Sequence, residues 1–147
     1  MQTSLSHLVP VLQLATGPVI LISGVGLLLL SFTNRLGRLI DRARSLHRER
    51  LACPGEGRLA LLEQQLALID QRAGILRRSI MLAGLTVLLV SVLILVLFVA
   101  ALGGIELGGL VVALFALAIL SLIGAMLGFL REITLSLEAV RLETSRA

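Results

Sequence analysis

The sequence contains no lysine, no tryptophan and no tyrosine, and it has a single cysteine. All 13 basic residues are arginines, which stand against nine acidic residues and give a net charge of +4. A lone cysteine, Cys53, excludes an internal disulfide and any zinc site built on several thiolates. Without tryptophan and tyrosine there is no aromatic belt of the kind common in membrane proteins, so arginine must anchor at least one membrane interface.

Strong basicity often indicates a nucleic-acid-binding protein, but the other features of that class are missing. The isoelectric point is near 11.3, yet no aromatic residues are interleaved with the arginines and no DNA-reading motif is present. Hydrophobic residues make up 57% of the 147 residues, and the mean hydropathy is +1.03. A soluble domain of this length cannot bury that much apolar surface. We therefore expect a single membrane domain over residues 1–147 and no nucleic-acid partner.

Three apolar stretches without a charged residue cover residues 8–33, 79–102 and 109–130. Each exceeds the ~20 residues that a helix needs to cross the hydrocarbon core of a bilayer. The first is too long for a signal peptide, follows no basic residue and lacks a cleavage site. Pro10 suits a helix start, whereas Pro18 predicts a kink or a broken turn. The pattern predicts an all-α membrane protein with three transmembrane helices.

The arginines lie beside these stretches in an asymmetric way. Ten occur between the first and second stretches, and Arg131, Arg141 and Arg146 follow the third. No basic residue precedes the first stretch or falls within residues 103–108. Because cytoplasmic segments carry an excess of basic residues, we expect a multi-pass protein with its N-terminus outside and its C-terminus in the cytoplasm.

Residues 34–78 have the periodicity of a coiled coil. Apolar residues recur at alternating steps of three and four, which is typical of a heptad seam: Leu59, Leu62, Leu66, Ile69, Ala73, Leu76 and Ile80. A shorter stripe precedes it: Leu36, Leu39 or Ile40, Ala43 and Leu46. The turn-forming residues 53–57 separate the two stripes. We expect a cytoplasmic antiparallel helical hairpin that extends the first two transmembrane helices.

The chain after the third stretch continues in a similar pattern. Leu130, Ile133, Leu137 and Val140 follow steps of three, four and three. This predicts a C-terminal cytoplasmic helix over residues 131–147 that packs against the hairpin through these four residues.

The first stretch carries a line of polar residues along one helical face, at 100° per residue. Its members are candidates for lining a pore or an interhelical contact: Gln13, Thr16, Ser23, Leu27, Ser31 and Asn34. In one interpretation they pack against a neighbouring helix, with weak interhelical hydrogen bonds. In the other, several copies arrange this face around a water-filled pore, with Leu27 or Leu30 as an apolar gate. The line has no carboxylate, so it does not resemble a proton relay.

Charged residues near the predicted membrane surfaces have two further interpretations. Glu106 is the one charge expected outside, either as an outer-mouth residue that attracts cations or as a solvated loop carboxylate. Four arginines are expected near anionic lipid headgroups at the cytoplasmic face: Arg35, Arg38, Arg77 and Arg78. The sequence contains no catalytic set and no metal-ligand spacing. His7 and His47 are expected on opposite sides of the membrane, so they cannot share a site. We expect no enzyme activity, no cofactor and no metal.

One segment resembles a known family. The run over residues 18–30, followed by Thr33-Asn34-Arg35, Arg38 and Asp41-Arg42, is similar to bacterial membrane proteins catalogued as domain of unknown function 2721. The likeness extends over nearly the whole chain. It implies a bacterial inner membrane protein, and it carries over no catalytic or binding residues.

Two hypotheses about function follow. Helix faces rich in polar residues, in small residues or in heptad-spaced apolar residues all require partners. Cyclic homo-oligomers are natural where all copies share one orientation in the membrane. The first hypothesis is therefore a homo-oligomeric pore or ion channel lined by the first transmembrane helix. The second is a non-conducting scaffold whose hairpin recruits a cytoplasmic protein partner or organises lipid.

Overall fold

The computed structural model describes residues 5–52 and 55–144, which form three long helices. These are α1 (Leu5–Ala52), α2 (Glu56–Gly103) and α3 (Gly108–Thr144). Each contains a segment long and apolar enough to cross a membrane: Ala15–Ala52, Gly57–Gly103 and Gly108–Ser136. The prediction of an all-α, multi-pass membrane protein is confirmed.

In α1 and in α2, the apolar stretch and the neighbouring charged segment belong to one continuous helix. α1 and α2 each span 48 residues, so both arms of the predicted hairpin are direct extensions of the first two apolar stretches. Both prolines lie inside α1, so Pro10 does not start the helix and the predicted broken turn at Pro18 is wrong. The alternative of a kink at Pro18 stays a prediction. A proline removes one backbone donor, and membrane helices tolerate this where side chains or neighbouring helices satisfy the freed carbonyl.

The link between α2 and α3 is short and has a defined helix cap. Gly104 has a φ of 61°, a left-handed conformation that glycine adopts without steric cost. The Ile105 amide donates to the carbonyl of Ala100 over 3.2 Å, which is the six-to-one hydrogen bond of a Schellman motif. Residues 104–107 therefore turn the chain tightly, and Glu106 lies exposed within them.

The helices divide into two compact units. The first unit contains α1 up to Leu29 together with Met81–Gly124. Its buried positions are mostly small or aliphatic: Ala15, Val25, Ala83, Val90, Leu93 and Ala118. Two buried hydroxyls are bonded to one carbonyl, since Ser121 Oγ and Thr86 Oγ1 donate to Leu82 O over 2.8 and 3.0 Å. Many large aliphatic side chains point outward, as lipid contact requires.

The second unit contains Leu30–Ile80 together with α3 from Ala125 onward. None of the seven residues in the predicted heptad seam of α2 is exposed, and Leu62 and Leu76 are buried. We call residues 34–52 of α1 the first arm and residues 56–78 of α2 the second arm. Arg50 of the first arm is paired with Glu63 of the second over 2.8 Å.

One member of the predicted stripe of the C-terminal helix is wrong, because Leu130 is 53% exposed. Ile133 is half-buried, and the side chains of Leu137 and Val140 lie outside the described residues. The buried positions of α3 in this unit, among its described side chains, are instead Ala125 and Glu132. Small residues decide this rotation, because a Cβ added at Gly128 would overlap Ser79 Oγ. Glycine at that position allows α3 to approach α2 closely.

Candidate functional site: the outward face of the first helix and a buried ion triad

The predicted polar line lies on the outward face of α1. All six of its residues are exposed, and Leu27 is exposed by 71%. At 100° per residue they lie on the side of the helix opposite the buried Val25 and Phe32. The other two helices of the same chain therefore do not cover this face.

At least one hydroxyl of this face is bonded within its own helix. Ser23 Oγ donates to the carbonyl of Val19 over 3.3 Å, a bond within the helix that lowers the cost of placing a hydroxyl in an apolar medium. Gln13 and Asn34 carry amides with several donors and acceptors each. Exposure to lipid would be costly for such groups, whereas contact with another helix or with water would satisfy them.

The structure places the four candidate headgroup arginines in two different environments. Arg38, Arg77 and Arg78 are exposed, which leaves their guanidinium groups accessible. Arg35 is only 28% exposed, and its Nε lies 3.3 Å from Glu132 Oε2. An internal ion pair thus holds Arg35, while the other three remain accessible at the surface.

Glu132 is the centre of an ion triad that sequence analysis did not predict. Its side chain is 1% exposed and pairs with Arg35 of α1 and with Arg72 of α2. Arg72 Nη2 lies 2.9 Å from Glu132 Oε1 and also donates to Ser136 Oγ over 2.9 Å. One carboxylate of α3 therefore connects all three helices of the second unit.

An aromatic pair lies beside the triad and orients Arg35. The rings of Phe32 and Phe129 stack with centroids 4.4 Å apart and an interplanar angle of 29°. The guanidinium carbon of Arg35 lies 5.4 Å from the centroid of Phe129, within the range of a cation–π interaction. Phe32 is one helical turn from Arg35, so the stacking and the ion pair fix the same segment of α1.

The triad is electrostatically unbalanced. Two arginines face one carboxylate, so the cluster carries a net charge of +1. Arg72 Nε and Glu132 Oε2 are buried without a hydrogen-bond partner in the described residues, although the ion pair to Arg35 lies close to Oε2. Replacing such a network with apolar residues is often neutral, whereas removing one member leaves an uncompensated buried charge. We therefore expect the triad to favour one specific arrangement of these segments.

A sequence signal for Glu132 exists, although the heptad analysis missed it. Ser121, Ala125, Gly128 and Glu132 follow steps of four, three and four along α3, which places them on one helical face. A carboxylate that continues a line of small residues faces a neighbouring helix and needs a cationic partner there.

Among residues 5–52 and 55–144, no group of three or more histidine, cysteine, aspartate or glutamate side chains could hold a metal ion. Cys53 lies outside the described residues.

Three long apolar helices define the chain as a multi-pass membrane protein. A family model described as a protein of unknown function (DUF2721) matches residues 15–142, so the chain belongs to that family. The resemblance of the segment around Asn34 and Arg35 to this family is thereby confirmed. No curated protein and no solved structure matches the chain.

Proposed function

We propose that the protein is a homo-oligomeric pore of the bacterial inner membrane, lined by the outward polar face of α1. The observation that carries this proposal is the exposure of all six residues of that face. Neither α2 nor α3 covers them, which leaves this face available to another copy of the chain or to water.

The energetics favour assembly over isolated chains. Transfer of an amide from water to an apolar medium without a hydrogen bond costs roughly 2–7 kcal/mol, and Gln13 would meet this cost in lipid because it lies within the first apolar stretch. Contact between copies removes this amide from lipid. A ring of copies with one membrane orientation has cyclic symmetry, which brings the same face of each α1 toward one axis.

The chemistry of the proposed lumen is weakly polar. Ser23 supplies hydroxyls and Asn34 supplies amides, while Leu27 forms an apolar constriction that gates by dewetting. Glu106, exposed in the link between α2 and α3, would form an acidic ring at the outer mouth and raise the local concentration of cations. We infer that the permeating species are small cations.

The positive-inside bias supports a cytoplasmic position for the two arms, with the N-terminus outside. Exposed Arg38, Arg77 and Arg78 would then lie at the cytoplasmic surface, where anionic headgroups attract arginine. The Glu132 triad has a supporting role in this proposal. It fixes the rotation of α1 at Arg35, directly beside Asn34.

Cation flux from liposomes tests the proposal, with variants that change the lining without charge. Ser23→Leu should reduce the flux by at least about tenfold, because a leucine adds a second apolar ring. Leu27→Asn should raise it by a similar factor. Ser91→Leu is the matched control for the serine change, because Ser91 is exposed on α2 and donates to its own helix, to Val87 O, over 2.8 Å.

The outcomes separate a pore from a scaffold. The pore is supported if Ser23→Leu and Leu27→Asn change the flux in opposite directions. Ser91→Leu should leave the flux unaltered. The proposal fails if the assembled protein gives no flux under any voltage, pH or calcium concentration. The non-conducting scaffold would then be the remaining hypothesis.

A further inference from the structure

The buried triad has more positive charge and more hydrogen-bond donors than its single carboxylate can satisfy. Arg35 and Arg72 each carry several N–H donors, whereas Glu132 supplies the only negative charge of the cluster. Arg72 donates over 2.9 Å to Glu132 Oε1 and over 2.9 Å to Ser136 Oγ, yet its Nε is buried without an acceptor among the described residues. The triad is therefore short of negative charge and of acceptors.

Arg35 is the arginine of the triad that is held less firmly. Its Nε lies 3.3 Å from Glu132 Oε2, but that oxygen has no hydrogen-bond partner in the described part of the chain. The contact is therefore electrostatic, and it leaves the N–H donors of Arg35 available. The Arg35 side chain is 28% exposed, whereas that of Glu132 is 1% exposed, so a ligand can reach the arginine but not the carboxylate.

Arg35 lies close to the boundary of the first apolar stretch. It follows residue 33, the last of that stretch, by two positions, which is roughly 3 Å along the helix axis. The headgroup layer of a bilayer extends about 5–7 Å beyond the hydrocarbon core on each side, so we expect Arg35 at the depth of lipid phosphates. The α3 side chains that the structure does not describe begin at residue 137, about 7 Å further along α3 than Glu132 and on the side away from the apolar stretch.

Two contacts hold the Arg35 guanidinium in place without any ligand. Its carbon lies 5.4 Å from the ring centroid of Phe129, and the Glu132 carboxylate approaches its Nε. A planar guanidinium has paired N–H donors that match two oxygens of one phosphate group. Because the guanidinium is already positioned, less conformational entropy is lost when a phosphate binds.

We propose that Arg35 binds one phosphate group with a net negative charge. An anionic lipid and a free phosphate ion share this chemistry, and the position of Arg35 beside the apolar stretch favours the lipid. Two phosphate oxygens accept hydrogen bonds from the guanidinium while it stays against Phe129, and the negative charge balances the excess charge of the triad. This site lies within the second unit, so it does not rest on the proposed pore.

The proposed site differs from the exposed surface arginines. Arg38, Arg77 and Arg78 are exposed and attract anionic lipids as surface charges. Arg35 is instead fixed by a ring and a carboxylate, which defines a discrete site for a single lipid per chain. A discrete site predicts a defined stoichiometry and a strong effect of one substitution.

Native mass spectrometry of the full-length protein in a neutral detergent tests the proposal. Phosphatidylglycerol or phosphatidylcholine is added in increasing amounts, and the affinity of the first lipid bound per chain is measured. We expect at least about fivefold tighter binding of phosphatidylglycerol, because phosphatidylcholine has no net charge. Excess inorganic phosphate should not displace the bound lipid. Displacement that depends on Arg35 would support the phosphate contact and overturn the lipid as its source.

Variants of the triad should change this affinity in opposite directions. Arg35→Gln removes the binding cation and should weaken phosphatidylglycerol binding by about tenfold. Arg35→Lys keeps the charge, and so the counter-ion of Glu132, but loses the planar pair of donors, so we expect a loss of about threefold. Glu132→Gln increases the net positive charge of the site and should strengthen binding by about threefold. Circular dichroism measures whether each variant keeps its helices.

Arg131→Gln is the matched control for the loss of one cation. Arg131 is exposed and directly follows the third apolar stretch, so this change removes the same charge at a similar depth but outside the triad. It should change the affinity by less than about twofold.

Three results would overturn the proposal. The first is equal affinity for phosphatidylglycerol and phosphatidylcholine. The second is an equal loss of affinity in Arg35→Gln and Arg131→Gln, since that would show a general effect of surface charge. The third is a loss in Glu132→Gln as large as that in Arg35→Gln, because both residues would then act on lipid only through the fold of the second unit.

Discussion

Arg72 Nη2 lies 2.9 Å from Glu132 Oε1, and this pair joins α2 to α3 through a carboxylate that is almost completely buried. Arg35 of α1 approaches the other oxygen of the same carboxylate at 3.3 Å. Because a buried charge without partners is costly, these side chains constrain one another. The stability of the second unit should therefore depend strongly on this small number of residues.

Removal of the central carboxylate should be strongly destabilising. Glu132→Ala leaves Arg35 and Arg72 without their shared counter-ion, and we expect a loss of about 3 kcal/mol in the free energy of unfolding. Equilibrium unfolding in mixed detergent micelles, followed by circular dichroism, measures this loss. Glu63→Ala is the control, because Glu63 is 57% exposed in its pair with Arg50 and should cost less than about 1 kcal/mol. Equal losses for both variants would contradict a special role of Glu132.

The two arginines of the triad should differ in their contributions. Arg72 donates from Nη2 to both Glu132 and Ser136, whereas Arg35 is more exposed and makes the longer ion pair. We therefore expect Arg72→Gln to lower the free energy of unfolding more than Arg35→Gln does, by roughly 1 kcal/mol. The same unfolding measurement gives the order, and a larger loss for Arg35→Gln would be inconsistent with the observed geometry.

Close approach of α3 to α2 should make Gly128 intolerant of a side chain. In Gly128→Ala the new Cβ would overlap Ser79 Oγ, and such overpacking costs about 1–3 kcal/mol. Ser79→Ala should rescue the variant, because it removes the overlapping oxygen and leaves Ser79 Cβ at 3.6 Å. Gly84→Ala is the control, because no atom lies within 4 Å of its added Cβ. Failure of Ser79→Ala to rescue would show that another contact limits this position.

Exposed arginines near the proposed cytoplasmic surface should make the protein sensitive to anionic lipid. In the variant with Arg77→Gln and Arg78→Gln, we expect a weaker preference for phosphatidylglycerol over phosphatidylcholine, measured by native mass spectrometry of lipid adducts. Arg58→Gln should have little effect, because Arg58 lies 19 residues earlier on α2, roughly 28 Å along the helix. The same lipid preference in all variants would remove Arg77 and Arg78 from the headgroup site.

The main architecture could be predicted from the sequence because its signals are local. Long apolar stretches define the three helices, and the steps of three and four from Leu59 to Ile80 correctly identify the inward face of the second arm. The same method failed at Leu130 of α3, which is exposed, whereas Gly128 allows close packing and Glu132 is turned inward. Glycine contributes nothing to a hydrophobic pattern, so its effect on helix rotation is visible only once the neighbouring helix is placed.

The candidate site could likewise be predicted from the sequence only in part. Periodicity alone places Ser23 and Asn34 on one face of α1, but it cannot say whether that face is turned inward or outward. The structure adds that α2 and α3 leave it exposed. The triad depends on residues that are distant along the chain, with Arg72 and Glu132 60 positions apart, and a single sequence holds no direct record of such pairing.

Thiol modification of a single residue tests the proposed pore most directly. In a Cys53→Ser background, Ser23→Cys is treated with a charged, membrane-impermeant methanethiosulfonate while cation flux from liposomes is recorded. We predict rapid modification and loss of most of the flux, with no loss for the exposed α2 control Ser91→Cys. A conducting protein whose Ser23→Cys variant does not react, or reacts without any change in flux, would contradict a pore lined by α1.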